Sequence, residues 1–205
     1  MKKSKVLLIL WVCVSFASIQ LTAGPLKNKK DSGVKPAFDK GSKTLGIFMG
    51  IGRNYDYGFY SNIDQIPAFG LIYDHGIVGN AGPGTVGIGG MLAYKGASYK
   101  YANGKYRANW SNYILAVRGT YHLTILKDKN NKFDPYAGVM FGLRINRYED
   151  TYYNQLGYNP YNYGNVNPIS GFFVGAKYNF AKRIGAFTEL GYDISFFRIG
   201  LNFNF

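Results

Sequence analysis

From residue 44 to the end of the chain, apolar side chains alternate with polar or small ones, run after run. The last run shows it most simply. Phe197, Ile199, Leu201, Phe203 and Phe205 are apolar, while Arg198, Gly200, Asn202 and Asn204 between them are polar or small. Successive side chains of a strand point to opposite faces, so this run has one greasy face and one wet face. Seven earlier runs repeat the pattern: Thr44 to Arg53, Ile66 to Val78, Thr85 to Lys95, Trp110 to Ile125, Asp134 to Asn146, Ile169 to Asn179 and Ile184 to Asp193. In the fourth, Tyr113, Leu115, Val117, Tyr121 and Leu123 alternate with Asn112, Ala116, Arg118, Thr120 and His122. Pro67 belongs at the start of its run, where a missing backbone donor matters least.

Each run is about ten residues, the length of a tilted strand crossing a bilayer. The connections alternate in length. Residues 79–84, 127–132 and 180–183 are short, and 54–65, 96–109 and 147–168 are long; only the last, around Asp193-Ile194-Ser195, breaks the rhythm. Such alternation is that of periplasmic turns and extracellular loops, and an even strand number leaves both chain ends on one side. Lipid cannot satisfy an open sheet edge, so the sheet has to close. The expected fold is all-β: a closed, eight-stranded, antiparallel up-and-down transmembrane barrel over residues 44–205. Two aromatic girdles are expected, from Tyr55, Tyr57, Trp110, Tyr113 and Tyr148 at one level and Tyr121, Phe133, Tyr178 and Phe180 at the other. A soluble lipocalin-like barrel also has eight strands but would hold its apolar residues inside. Glycines and charges on the alternate face suit a polar interior better.

The N-terminus adds a destination. Lys2, Lys3 and Lys5, then an apolar run from Val6 to Ile19, then small residues up to Ala23, form a secretory signal over residues 1–23. Ala17 is an alternative cleavage position. Cys13 lies in the apolar run, so the processed chain has no cysteine and no thiol chemistry. Residues 24–43 carry Pro25, Gly33, Pro36, Gly41 and six lysines without periodicity, and are expected to be a flexible periplasmic tail. The net charge of +13 is spread over signal, tail, loops and lumen positions without a nucleic-acid motif. No nucleic-acid partner is expected.

The terminal run ends on an aromatic residue. Phe197, Ile199, Leu201, Phe203 and Phe205 thereby resemble the C-terminal signal that the outer-membrane barrel assembly machinery reads. The chain beyond the signal resembles the small eight-stranded outer-membrane barrel family of OmpA/OmpX type. Asp134-Pro135-Tyr136-Ala137-Gly138 and Glu189-Leu190-Gly191-Tyr192-Asp193 resemble its Bacteroidota version. The resemblance implies a monomer in the bacterial outer membrane, in contact with its lipid and lipopolysaccharide.

Candidate chemistry is sparse. His122-Leu123-Thr124 lacks the serine of a lipid-deacylating His-x-Ser pair, and His75 sits toward the end of its strand that holds the termini. Gly87-Ile88-Gly89-Gly90 is followed by no helix, so it is not a phosphate loop. No enzyme activity, metal site or cofactor is expected. The expected sites are of two other kinds. Inside, Glu189 is the expected hub of an ion-pair network with Arg198, Arg118 and Arg144, with Gly200 opposite Glu189 and Arg198 on the diagonal. Outside, Tyr148, Tyr152, Tyr153, Tyr158, Tyr161 and Tyr163 enrich the third long connection in tyrosine, a residue common in binding loops. Packing of the loops on one another is the alternative use of these rings. The function expected is a closed surface scaffold, or a recognition or adhesion protein for an extracellular ligand or host surface. The alternative is a narrow pore or transporter of small, including hydrophobic, molecules.

Overall fold

A computed structural model describes residues 36–52, 63–124, 131–157 and 164–205. The strands are β1 (Lys43–Ile51), β2 (Asp64–Gln65), β3 (Ala68–Ala81), β4 (Gly84–Tyr101), β5 (Tyr106–Leu123), β6 (Phe133–Asp150), β7 (Gly164–Tyr178), β8 (Ile184–Gly191) and β9 (Phe197–Asn204). One short helix, α1 (Thr151–Gln155), follows β6. Neighbours in sequence pair antiparallel from β3 to β9, and β1 pairs with both β3 and β9. Eight strands thus close an up-and-down ring, and β2 merely adds Asp64 and Gln65 to the edge of β4.

The alternation sorts the two faces. Ile47, Leu71, Ile88, Leu115, Val117, Phe141, Phe172, Leu190 and Ile199 point outward and stay 43–65% exposed. Their partners in alternation, including Phe48, Asp74, Met91, Arg118, His122, Met140, Phe173, Phe187, Glu189 and Arg198, are buried inside. A greasy outside and a charged inside is the reverse of a soluble barrel, and it suits a hydrocarbon surround. Lumen glycines make room for lumen rings. A side chain at Gly200 would meet the Phe187 ring within 2.6 Å of its Cβ, so that ring occupies the space the glycine leaves.

The seam between first and last strands is closed by backbone and amides. Phe205 N–H donates to the Lys43 carbonyl at 3.0 Å, one step beyond the Thr44–Asn204 pair. Asn202 and Asn204 both donate to Asn179 Oδ1, at 3.1 and 2.9 Å, and Thr44 donates to Asn204 Oδ1 at 3.2 Å. The alternation that predicts strand β9 therefore also supplies its polar lock.

Three expectations need correction. The long connection expected over residues 96–109 is mostly strand. β4 runs to Tyr101, β5 begins at Tyr106, and only Ala102 to Lys105 turns, through positive φ at Ala102, Asn103 and Gly104. Alternation continues there and cross-strand tyrosines support it, so the hairpin stands beyond the lipid-facing belt. Trp110 and Tyr148 do not join an outer girdle. They share the inward face of these extensions, with ring centroids 5.3 Å apart. Tyr113, Phe133, Tyr178 and Phe180 do face outward, while Tyr55 and Tyr57 lie outside the described residues.

The third correction concerns the tail expected over residues 24–43. Its last part enters the barrel. Phe38 is 2% exposed, with its ring stacked on His122 at 3.7 Å between centroids. Ser42 N–H donates to the Asp39 carbonyl, Gly41 N–H to the Gly76 carbonyl and Gly76 N–H to the Ser42 carbonyl. Gly76 permits this approach, because a Cβ there would sit 2.2 Å from the Asp39 carbonyl oxygen. One aromatic residue in a polar stretch lies flat on the His122 ring, with the Lys177 nitrogen near its face. The signal expected over residues 1–23 and the rest of the tail lie outside the described residues.

Candidate functional site: a filled lumen and a tyrosine-rich far end

Glu189 lies on β8, two residues before its end, and is 1% exposed. Arg118 reaches it from the far wall on β5, with Nη2 2.6 Å from Oε1 and Nη1 3.4 Å from Oε2. Arg198 on β9 places Nη2 2.7 Å from Oε2. Tyr136 on β6 donates its hydroxyl to Oε1 at 2.7 Å. Arg198 also donates from Nη1 to Asp193, a residue of the β8–β9 turn that sequence reasoning did not include. The same Asp193 oxygen accepts from Ile194 N–H and Ser195 N–H, so the turn residue caps its own turn and neutralises a lumen arginine. Two cations and two anions balance in this cluster. Both guanidiniums also lie against Phe173, at 4.0 Å for Arg118 and 5.8 Å for Arg198.

The register differs from expectation. Glu189 faces Arg198 directly, and Gly200 faces Phe187. The apex falls one residue earlier than expected because Asp193 turns inward and holds the next two N–H groups. Arg144 lies on β6 opposite Ile114 and Asn167, while the ion pairs of Glu189 run to Arg118 and Arg198.

A second polar cluster fills the half nearer the termini. Lys177 Nζ is 3.3 Å from Asp74 Oδ2, and Thr120 donates to Asp74 Oδ1 at 2.9 Å. His122 is fully buried, with Nε2 3.1 Å from Asp74 and Nδ1 2.9 Å from Asp134. Phe38 covers this histidine, and Lys177 Nζ stands 4.9 Å from the Phe38 ring centre. Inward parity placed Asp74, His122 and Lys177 in the lumen. Their mutual contact depends on cross-barrel geometry that parity does not carry. Between the two clusters remains a cavity of about 10 Å3, lined by Asp74, Arg118, Tyr136, Lys177, Phe187 and Glu189 among others. That is room for about one water.

At the far end Asp150 organises the tyrosines. It accepts from Tyr101 and Tyr148 hydroxyls at 2.7 and 3.0 Å, and it caps α1 by accepting from Tyr152 N–H at 2.9 Å. Tyr152 meets Tyr106 edge-on at 4.9 Å and Tyr153 at 5.2 Å. Tyr152 remains 38% exposed. Tyr158, Tyr161 and Tyr163 lie outside the described residues. Of the terminal set, Ile199, Leu201, Phe203 and Phe205 face outward, Phe205 at 77% exposure, and Phe197 is half-buried at the turn.

With this geometry the comparison with solved structures is decisive for the fold. The chain resembles Ail, the attachment invasion locus protein of Yersinia pestis, solved in complex with the heparin analogue sucrose octasulfate. The two align at a TM-score of 0.50 and 10% identity, over 81% of this chain and 99% of that one. The architecture is that of the small outer-membrane barrels. The N-terminal barrel domain of Pseudomonas aeruginosa OprF aligns at a TM-score of 0.44 and 11% identity, over 82% of this chain and 100% of that one. No family model and no curated protein sequence matches the chain.

Proposed function

We propose that the protein is a closed barrel of the bacterial outer membrane that acts at the cell surface as a scaffold for recognition or adhesion. The observation that carries the closed reading is the lumen. Two ion-paired clusters, the Phe38 ring and inward apolar side chains such as Phe48, Met91, Met140, Phe173 and Phe187 occupy it, with a cavity of about 10 Å3 between the clusters. A conduit for hydrophobic molecules needs an apolar lumen, and this one presents Arg118, Lys177, Glu189 and Arg198. The recognition reading is supported by strands β4 to β6, which carry tyrosines beyond the belt, and by the ligand of Ail, a protein of similar fold. No catalysis is proposed, since both ring nitrogens of His122 face carboxylates in a fully buried cluster. The signal over residues 1–23 would deliver the chain across the inner membrane, and the terminal strand would be read by the assembly machinery. The Asp134–Gly138 and Glu189–Asp193 motifs support the Bacteroidota version of the family.

The test joins two measurements on refolded protein. Planar bilayers should show no steady conductance, while a binding screen against glycans and host-surface extracts should yield a ligand lost on loop replacement. Steady wild-type conductance would overturn the closed scaffold in favour of the pore.

A further inference from the structure

The outward face of β3 to β6 is not uniformly convex. A hollow of about 550 Å3 lies across it, lined by Phe69, Leu71, Leu92, Tyr94, Tyr113 and Arg147 among others. The strand register orders this lining by height. Leu71, Leu92 and Leu115 form one outward row, and Phe69, Tyr94, Tyr113 and Ile145 form the next row toward the far end. Arg147, opposite Ser111, lies one row beyond them. The hollow is therefore apolar at its base, ringed by two tyrosines 5.1 Å apart, and topped by one guanidinium. Arg147 is exposed and makes no ion pair with a described residue. Its nearest outward acid is Glu149, two residues along the same face, and no ion pair joins the two.

A second observation concerns the same face farther out. Lys100 stands directly opposite Arg107, both exposed and neither ion-paired to a described residue. Like charges directly opposite on an antiparallel pair oppose its formation. They sit four residues beyond Ser111, or about 13 Å at roughly 3.3 Å per residue. Glu149 lies between the two sites, and Arg147, Lys100 and Arg107 together outnumber it on this face, which keeps the face positive.

We propose that this hollow is a lipid site. It takes an acyl chain of an anionic bilayer lipid, with the lipid phosphate on Arg147 and the Tyr94 and Tyr113 hydroxyls at the level of the head group. Charge complementarity selects the occupant: an uncharged amphiphile would use the leucine row and leave Arg147 unanswered. A bilayer lipid, rather than free phosphate, fits because the cation is reached only together with the apolar hollow below it. The proposal rests on the membrane placement given above.

The test uses the full chain in bilayer nanodiscs containing equal dimyristoylphosphatidylglycerol and dimyristoylphosphatidylcholine. Lipid retained on the released protein is measured by native mass spectrometry. The wild type should retain the anionic lipid over the zwitterionic one by about fivefold, the scale of one charge-assisted contact at a wet site. Arg147→Gln should bring the ratio near one. Leu92→Trp, which fills the hollow, should lower retention of both lipids, and inorganic phosphate should not compete. Equal retention by the wild type, or an unchanged ratio in Arg147→Gln, would overturn the lipid site while leaving the barrel reading intact. Failure to insert into bilayers at all would instead overturn the membrane placement.

Discussion

Glu189→Ala is the most informative single change in the lumen. The side chain removed is 1% exposed and serves Arg118, Arg198 and the Tyr136 hydroxyl together. The two arginines lose unequally. Arg198 keeps Asp193, whereas Arg118 loses its ion pair and keeps the Phe173 ring at 4.0 Å. Leaving a buried charge without its counter-ion costs about 3–5 kcal/mol. The Tyr136 hydroxyl adds about 1 kcal/mol, and water entering the emptied space offsets a similar amount, so the net stays near 3–5 kcal/mol. At an m-value of about 2 kcal/mol per molar urea, the unfolding midpoint should fall by about 1.5–2.5 M. Unfolding in lipid vesicles, followed by tryptophan fluorescence and by the heat-dependent shift in gel migration, measures this. Pairing Glu189→Leu with Arg118→Met removes the stranded charge along with the carboxylate, and should recover most of the loss. A midpoint unchanged within about 0.3 M in Glu189→Ala, with no coupling in the double variant, would mean that lumen water already hydrates these charges and that the network does not hold the barrel shut.

Three further outcomes are expected. Phe38→Ala removes a buried ring stacked on His122 and should cost about 3 kcal/mol, the low end for phenylalanine because water can follow it into the mouth; the same urea titration checks it. Phe205→Asp should reduce the amount of folded protein in outer-membrane fractions more than any single loop substitution, and normal amounts of heat-modifiable barrel would refute the role given to the terminal strand. Replacing residues 155–163 with a short Gly/Ser linker should leave the barrel folded, since loops beyond the sheet tolerate change, while ligand or cell binding falls; an unfolded barrel that still binds would reverse the roles.

What the sequence could show follows from which forces act locally. Period-two alternation is imposed residue by residue by the two faces of a strand, so strand number and the two faces were legible, except for Trp110 and Tyr148, whose aromatic character suggested a girdle while they share the inward face. Strand ends were less so. Ala97 and Ala108 are small, buried and uncharged, and a stretch holding them with Ser98, Lys100 and Lys105 reads as a loop. Asn103-Gly104, a dipeptide suited to a tight hairpin turn, is where the two strands run on to meet. The polar hub around Glu189 was legible as a cluster of inward charges near mid-strand. Its membership was not, because Arg144 and Asp193 differ in something parity cannot express. Arg144 shares the inward face but lies eight residues past Tyr136, the β6 residue level with Glu189, whereas Asp193 lies in a turn and is carried inward by its own backbone bonds.

Phe38 marks the limit of such reading and covers the polar cluster in the half nearer the termini. Nothing in its lysine-rich neighbourhood signals burial, and its site is assembled from β3, β5, β6 and β7, which bring Asp74, His122, Asp134 and Lys177 together. Charged groups at a barrel mouth could be left to water at little cost. Here an aromatic ring lies flat on the histidine with the lysine nitrogen near its face, so the cluster is held at low exposure. Water exclusion strengthens each ion pair beneath the ring, because Coulomb attraction grows as the surrounding dielectric falls. It also raises the cost of opening, because every partner lost there strands a buried charge. The plug and the clusters therefore depend on one another. Loss of Phe38 should weaken the Asp74 cluster next to it more than the Glu189 cluster, whose partners lie deeper in the barrel. Hydrogen exchange read strand by strand distinguishes them: in Phe38→Ala, protection should drop first in β3 and β7 around Asp74 and Lys177, and only later in β8 and β9. Equal loss across all strands would show that the ring acts on the whole barrel rather than through the cluster it covers.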